Sequence, residues 1–279
     1  MRQPEDELAE LEAATLRRSL RAVDSPQKPH SLINGKPLLN FASNDYLGLA
    51  THPRIIETHQ AAVEQWGAGS GASRLISGSL PPHRDLEEYI ADAKGCEAAL
   101  VFANGYTTAL GTLSAILQKG DTVIIDKLSH ASLIDGARLS GAIIRVFPHN
   151  DLNKLEKLLL STTKKAAPNS RVLVVTESVF SMDGDIAPLA EIVRLKEKYH
   201  ALLLVDEAHG LGIYGQTGMG LCEHLACSSG VDFHMGTLGK SAGVAGGYIA
   251  CSSAYRALLI NRARSFIYST APPPAQSAA

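Results

Sequence analysis

Ala201-Leu-Leu-Leu-Val-Asp-Glu-Ala-His-Gly210 decides the fold: an unbroken apolar run that ends in an acid, followed by a histidine and a glycine. A strand with no polar alternation has both faces buried, the situation of strands in a parallel sheet covered by helices on either side. Toward the N-terminus, strands are predicted at 171–176, 142–147, 122–126 and 98–102. Helices over 188–199, 151–160, 130–139, 106–118 and 83–94 separate them. Toward the C-terminus, strands fit 231–236 and 245–250, before a helix over 253–263. This alternation predicts an α/β fold, a mostly parallel sheet with helices on both faces. Outside it, 5–22 reads as an amphipathic helix carrying Leu8, Leu11, Leu16 and Leu20. Asn34-Gly35 reads as a hairpin turn and 53–66 as a further helix. Two parts are expected: an N-terminal arm of helix and hairpin over 1–44, and a large domain over 45–279.

Composition narrows the function. The chain has 279 residues, 45% of them hydrophobic and 19% charged, which suits a globular enzyme and not a disordered chain. A net charge of -2 leaves no basic footprint for nucleic acid. Cys96, Cys222, Cys227 and Cys251 are irregularly spaced, as reduced thiols would be. No apolar run is long enough to span a bilayer, and the polar start MRQPEDELAE is no secretory or transit signal. A soluble cytoplasmic protein is expected.

In sheets of this kind ligands gather beyond the carboxyl ends of the strands. Five strands end there in polar or glycine-rich text: Gly105-Tyr106, His130, Ser181, Asp206 with His209, and Thr237 with Lys240. That set suits a phosphorylated aldehyde cofactor. A lysine amine attacks a carbonyl only when unprotonated, so Lys240 needs a site that lowers its pKa. A pyridine ring used as an electron sink needs its nitrogen protonated, which a buried Asp206 would enforce. A phosphate wants backbone N–H groups at a helix start, where Gly105 and Tyr106 lie, and the Thr237 hydroxyl can add to them. His130 has the shape to lie on a ring face, and His209 and Ser181 can reach a phenolic oxygen.

The segments SNDYLGL, GSGASRLISGS, HASLIDGARLSG, TESVFSMDGDIAPL, VDEAHGLGIYG and TLGKSAG resemble those of the α-oxoamine synthases, a branch of the fold-type-I pyridoxal-phosphate (PLP) enzymes. The matches run in order from about residue 8 to residue 274. The resemblance implies PLP carried on Lys240, Asp206 at the ring nitrogen, and His130 on the ring, assisting decarboxylation. It implies His209 and Ser181 at the ring oxygen, Gly105, Tyr106 and Thr237 at the phosphate, and Arg18 near the acyl substrate. The implied reaction is a decarboxylating condensation of L-alanine with pimeloyl-CoA or another pimeloyl thioester. The alternatives are another member of the family, of the 2-amino-3-ketobutyrate–CoA ligase type, or a non-catalytic fragment. Relatives of this kind are homodimers, and the loop over 67–78 is expected to reach a partner's cofactor. They also continue into a small C-terminal domain, so the resemblance implies a C-terminally truncated chain with that domain missing.

Blander and rival readings exist for the same residues. His130 could cap the helix it precedes, Asp206 could be a helix cap, and Arg17, Arg18 and Arg21 could be a solvated face. Cys222-Glu-His224 with Cys227 lacks four-ligand zinc spacing, so no metal is expected. Asp206-Glu-Ala-His209 spells a helicase DEAH box and Gly239-Lys240-Ser241 the end of a P-loop. His234 stands where that P-loop needs glycine, and the order of the two motifs is reversed.

Overall fold

The computed structural model describes residues 2–279, and the chain divides into two units, 1–43 and 44–279. The first unit has helix α1 (Pro4–Ala13) and strands β1 (His30–Ile33) and β2 (Lys36–Leu39), which pair antiparallel. Asn34 and Gly35 between them both take positive φ, 50° and 71°, the backbone of a tight hairpin turn. The helix predicted over 5–22 stops early. Thr15 turns left-handed at φ 55°, and the amides of Thr15 and Leu16 fold back onto the carbonyls of Glu12 and Leu11. α1 buries no residue, and Leu16 and Leu20 are exposed. Without an apolar face against a core, propensity alone does not hold further turns.

The second unit runs α2 (Pro53–Trp66), α3 (Pro81–Lys94), β3 (Ala98–Phe102), α4 (Gly105–Ile116), β4 (Thr122–Asp126), α5 (Ala131–Ser140), β5 (Ile143–Phe147), α6 (Leu152–Thr163) and β6 (Val172–Glu177). It continues with α7 (Leu189–Lys198), β7 (Leu202–Asp206), α8 (Leu221–His224), β8 (Phe233–Thr237), β9 (Gly247–Cys251), α9 (Ser253–Arg262), α10 (Arg264–Ile267) and α11 (Pro274–Ala278). The strands form one seven-stranded sheet in the order β3-β9-β8-β7-β6-β4-β5. β9 is antiparallel to both its neighbours; all the other pairs are parallel. Two reversals cancel, so β3 points the same way as β8, and its carboxyl end joins those of β4, β6, β7 and β8 on one edge.

Burial follows the strand period of two. Val123, Ile125, Leu173, Val175 and Leu204 face the layer of α4, α5 and α9, in a cluster with Leu113, Leu133 and Leu259. Ile124, Val174, Leu203 and Val205 face the opposite layer, with Leu155 and Leu159 of α6 and Ile192 of α7. Each fully buried aliphatic side chain stabilises the fold by about 1.5–3 kcal/mol relative to exposure. β6 has every residue buried, which explains why its sequence reads as a continuous apolar run ending in Thr-Glu. Gly236 in β8 is a close-approach glycine: an added Cβ would meet the buried Tyr248 ring at 2.5 Å.

Candidate active site

Five chain segments bring their ends to one cavity of about 170 Å³, lined by Gly105, Tyr106, His130, Ser132, Glu177, Asp206, Ala208, His209, Met235, Thr237 and Lys240. Gly105 and Tyr106 open α4, where the first N–H groups have no partner in the helix. Asn104 caps that helix, its Oδ1 accepting from the Thr107 N–H at 2.9 Å, which leaves the earlier amides for a ligand. Thr237 ends β8 beside them. Its hydroxyl donates to the Gly246 carbonyl at 2.9 Å and accepts from the Gly239 N–H at 3.2 Å.

Lys240 lies in the loop after β8, and its Nζ is 2.6 Å from His209 Nε2. The other ring nitrogen, Nδ1, is 2.6 Å from the Tyr46 hydroxyl, which also reaches Asn44 Oδ1 at 3.2 Å. Burial, then the charges of Lys240 and His130, push His209 down to about 4, so it is neutral at ordinary pH. With Lys240 donating to Nε2, the His209 proton sits on Nδ1 and is donated to Tyr46. Burial also lowers the Lys240 amine below its ordinary value, against the pull of Asp206 and Glu177. That is the direction a nucleophilic amine requires.

Asp206 ends β7 and is buried, with Oδ1 accepting the Ala208 N–H at 2.9 Å. Burial raises its pKa, while that N–H bond, Lys240 and His130 oppose the rise. Glu177 ends β6 directly beside it, because the parallel register pairs Glu177 with Asp206. Burial and then the Asp206 charge raise Glu177 to about 8. Two buried carboxyl groups thus face one small cavity, where burial and their mutual repulsion disfavour ionising both together. His130 serves twice. It is the N-cap of α5, with Nδ1 accepting the Ser132 N–H at 3.3 Å, and its ring also lines the cavity. Its own backbone N–H donates to Glu177 Oε1 at 2.5 Å.

Of the residues singled out in the sequence, Gly105, Tyr106, His130, Asp206, His209, Thr237 and Lys240 meet in this cavity. Ser181 does not line it; it lies exposed in the turn of a short hairpin after β6. Arg18 is exposed and outside the shortened α1. Sequence reading missed Glu177 and Tyr46. The first carries a signal, as an acid at the end of an apolar strand, just like Asp206; the second sits in SNDYLGL, where no strand points to a site. The residues present fit a phosphorylated pyridine aldehyde: an amine of lowered pKa, a buried acid, and free amides at a helix start.

A second buried cluster lies on the same sheet edge. Glu207, Cys222 and His234 bring ligand-type atoms within 4.8 Å of one another, a grouping different from the Cys222, His224 and Cys227 considered in the sequence. The Lys94 ammonium, 2.6 Å from Glu207 Oε2, supplies the countercharge there. All four cysteines are free thiols, and no helix among the described residues is long and apolar enough to cross a membrane.

The model of the family aminotransferase class I and II matches residues 36–279. An 8-amino-7-oxononanoate synthase of Pelobacter propionicus is 48% identical over 97% of this chain and 68% of its own length. That of Citrifermentans bemidjiense is 50% identical over 98% of this chain and 69% of its own. Among solved structures, a serine palmitoyltransferase of Sphingomonas wittichii superposes with a TM-score of 0.90 at 35% identity, over 98% of this chain and 69% of that one. A serine palmitoyltransferase of S. paucimobilis with PLP bound gives 0.89 at 32%, over 98% and 68%. With this sheet order, and with these relatives matching nearly its whole length, the chain belongs to the aminotransferase class I and II family, in the branch of the 8-amino-7-oxononanoate synthases.

Proposed function

We propose that the chain binds PLP on Lys240 and condenses L-alanine with pimeloyl-CoA, or another pimeloyl thioester, to 8-amino-7-oxononanoate with loss of CoA and CO2, a step of biotin biosynthesis. The carrying observation is the Lys240 amine, 2.6 Å from a neutral His209, in one cavity with the buried Asp206 and the start of α4. The relatives' names support the product, and a relative solved with PLP supports the cofactor.

When bound, PLP supplies an aldehyde for the substrate amino group and an electron-withdrawing pyridinium ring. Asp206 holds a proton on the ring nitrogen, and Gly105, Tyr106 and Thr237 hold the phosphate. Lys240, whose amine burial holds below its ordinary pKa, accepts the proton leaving the α-carbon of the amino acid. His209, braced by Tyr46, and Ser181 are assigned to the ring oxygen, and His130 to the ring face. Arg18 is assigned to the acyl substrate. The arm over 1–44 and the PLP-binding part over 45–279 act in a cytoplasmic homodimer whose loop 67–78 serves the partner's site.

Titrating the purified chain with PLP, then with L-alanine and glycine in turn, tests this by visible absorbance. A protein-bound band that shifts with L-alanine and not glycine is the expected result. Lys240→Ala should abolish the adduct trapped by borohydride while leaving the far-UV spectrum unchanged. A glycine response would move the chain to another branch of the family, and the absence of any band would overturn the proposal.

A further inference from the structure

His149 follows β5 in the text Phe147-Pro-His-Asn150, and none of the roles above uses it. Its ring is held between two carboxylates. Nδ1 lies 3.1 Å from Asp126 Oδ1, and Nε2 lies 2.6 Å from Asp185 Oδ2. Phe180 packs edge-on against the ring, with centroids 4.3 Å apart. A neutral imidazole owns one N–H, so it would satisfy one carboxylate and turn a lone pair toward the other. Only the imidazolium donates to both. Asp126 from the end of β4 and Asp185 from the hairpin are the charged groups bonded to the ring; Asn150 beside it and Phe180 against it are neutral.

Each carboxylate belongs to a segment that shapes the site. Asp126 is buried, and its Oδ1 also accepts the Leu128 N–H at 2.8 Å while Oδ2 accepts that of Asn150 at 2.9 Å. Its carbonyl takes the Ser129 N–H at 3.1 Å, so this one residue folds the loop that delivers His130. Asp185 sits on the far limb of the hairpin 178–187, which is closed by Phe180–Asp185 and Ala187–Ser178 backbone bonds of 3.0 Å. Asn150 Nδ2 grips the same limb, donating to Asp185 Oδ2 at 3.1 Å and the Ile186 carbonyl at 3.3 Å. The near limb follows Glu177, which accepts the His130 N–H.

We propose that His149 is a positioning residue: as an imidazolium it locks the loop carrying His130 to the hairpin carrying Ser181, and so fixes how His130 is presented in the cavity. Burial opposes the charge, but the bonds to Asp185 and Asp126 and their negative charges outweigh it, and the His149 pKa is raised above the ordinary imidazole value. A raised histidine stabilises the lock at low pH and loses that contribution as pH rises through its folded-state pKa. The effect on the cofactor rests on the PLP reading above; the lock itself does not.

The experiment has two arms. The first is amide hydrogen exchange of 126–130 and 178–187 in the protein without PLP, corrected for the intrinsic rate and followed upward through the imidazole range. Wild type should lose about tenfold of protection in both segments together, the scale of one charge-assisted bond. His149→Phe, which keeps an aromatic ring against Phe180, should lack that step, and Asp185→Asn, at a half-exposed position, should blunt it. The second arm is the affinity for PLP and the visible circular dichroism of bound PLP, which reports the asymmetric surroundings of the ring. His149→Phe should weaken affinity by about three- to tenfold and change the dichroic band. An identical exchange profile in wild type and His149→Phe would overturn the lock. A changed profile with unaltered affinity and dichroism would overturn its positioning role. If wild type takes up no PLP, the PLP reading fails separately, and the exchange arm still decides the lock.

Discussion

At the scale of single residues, the site depends on groups whose charge is set by burial. Asp206 is the clearest: a buried acid with one backbone N–H bond and a cavity in front of it. Asp206→Asn keeps the shape and removes the charge, so affinity for PLP should fall by roughly ten- to hundredfold, the worth of a charge-assisted bond of about 1.5–3 kcal/mol. A fluorescence titration would measure it, and unchanged affinity would remove Asp206 from the ring nitrogen. Residues such as Asp206, His130 and Lys240 were legible in sequence because each ends a strand or follows one within a few residues, and strand ends are where a parallel sheet binds ligands. Glu177 carries the same strand-end signal and was passed over, because its place beside Asp206 is set by the register of β6 against β7. Ser181 was placed by the same logic; it stands in an exposed turn, because the chain after Glu177 doubles back at a bridge between Val179 and Ile186.

At the scale of elements, the alternation of apolar strands and helices was readable, and boundaries moved by a few residues. Strand β8 was expected over 231–236 and runs Phe233–Thr237. The antiparallel insertion of β9 was not legible, since an apolar strand buried on both faces carries no mark of its direction. The helix over 5–22 was overextended for the opposite reason: its leucine spacing is helical, but no core receives those leucines. Gly236→Ala tests the tightness of the β8–β9 seam. A Cβ pressed into the buried Tyr248 ring should cost about 1–3 kcal/mol, read as a lower urea midpoint with an unchanged slope.

At the scale of the whole molecule, buried carboxyl groups set opposing pH limits. Glu207 is lowered to about 2; burial opposes this, and His234, Lys94 and the Cys222 N–H overcome it. Its contribution is therefore present above the unfolded carboxylate range and is lost as pH falls toward 2. Glu177 works the other way. Raised to about 8, it favours the fold below the unfolded carboxylate pKa, and that contribution is lost as pH rises through 8. Denaturant midpoints of the PLP-free protein should therefore decline between the unfolded carboxylate range and pH 8 and level off above it, and Glu177→Gln should flatten that decline while leaving the acid limb unchanged. An equal decline over that window in both proteins would show that Glu177 ionises normally.

The sheet order has one more consequence, in the time of synthesis. β3 is an edge strand whose sole sheet partner is β9, and Arg256 in the helix after β9 also bonds back to the Ala99 carbonyl, 157 residues away in sequence. At translation rates of about 5–20 residues per second, the apolar Ala98–Phe102 segment waits roughly seven to thirty seconds for that partner. During that interval its backbone groups stand open to any other unpaired strand. The start of α4, which directly follows β3, is anchored to the sheet only when β9 arrives. The start of α4, proposed above to hold the phosphate, is thus secured late in synthesis, and the interval before it is the stage at which a chaperone would matter most.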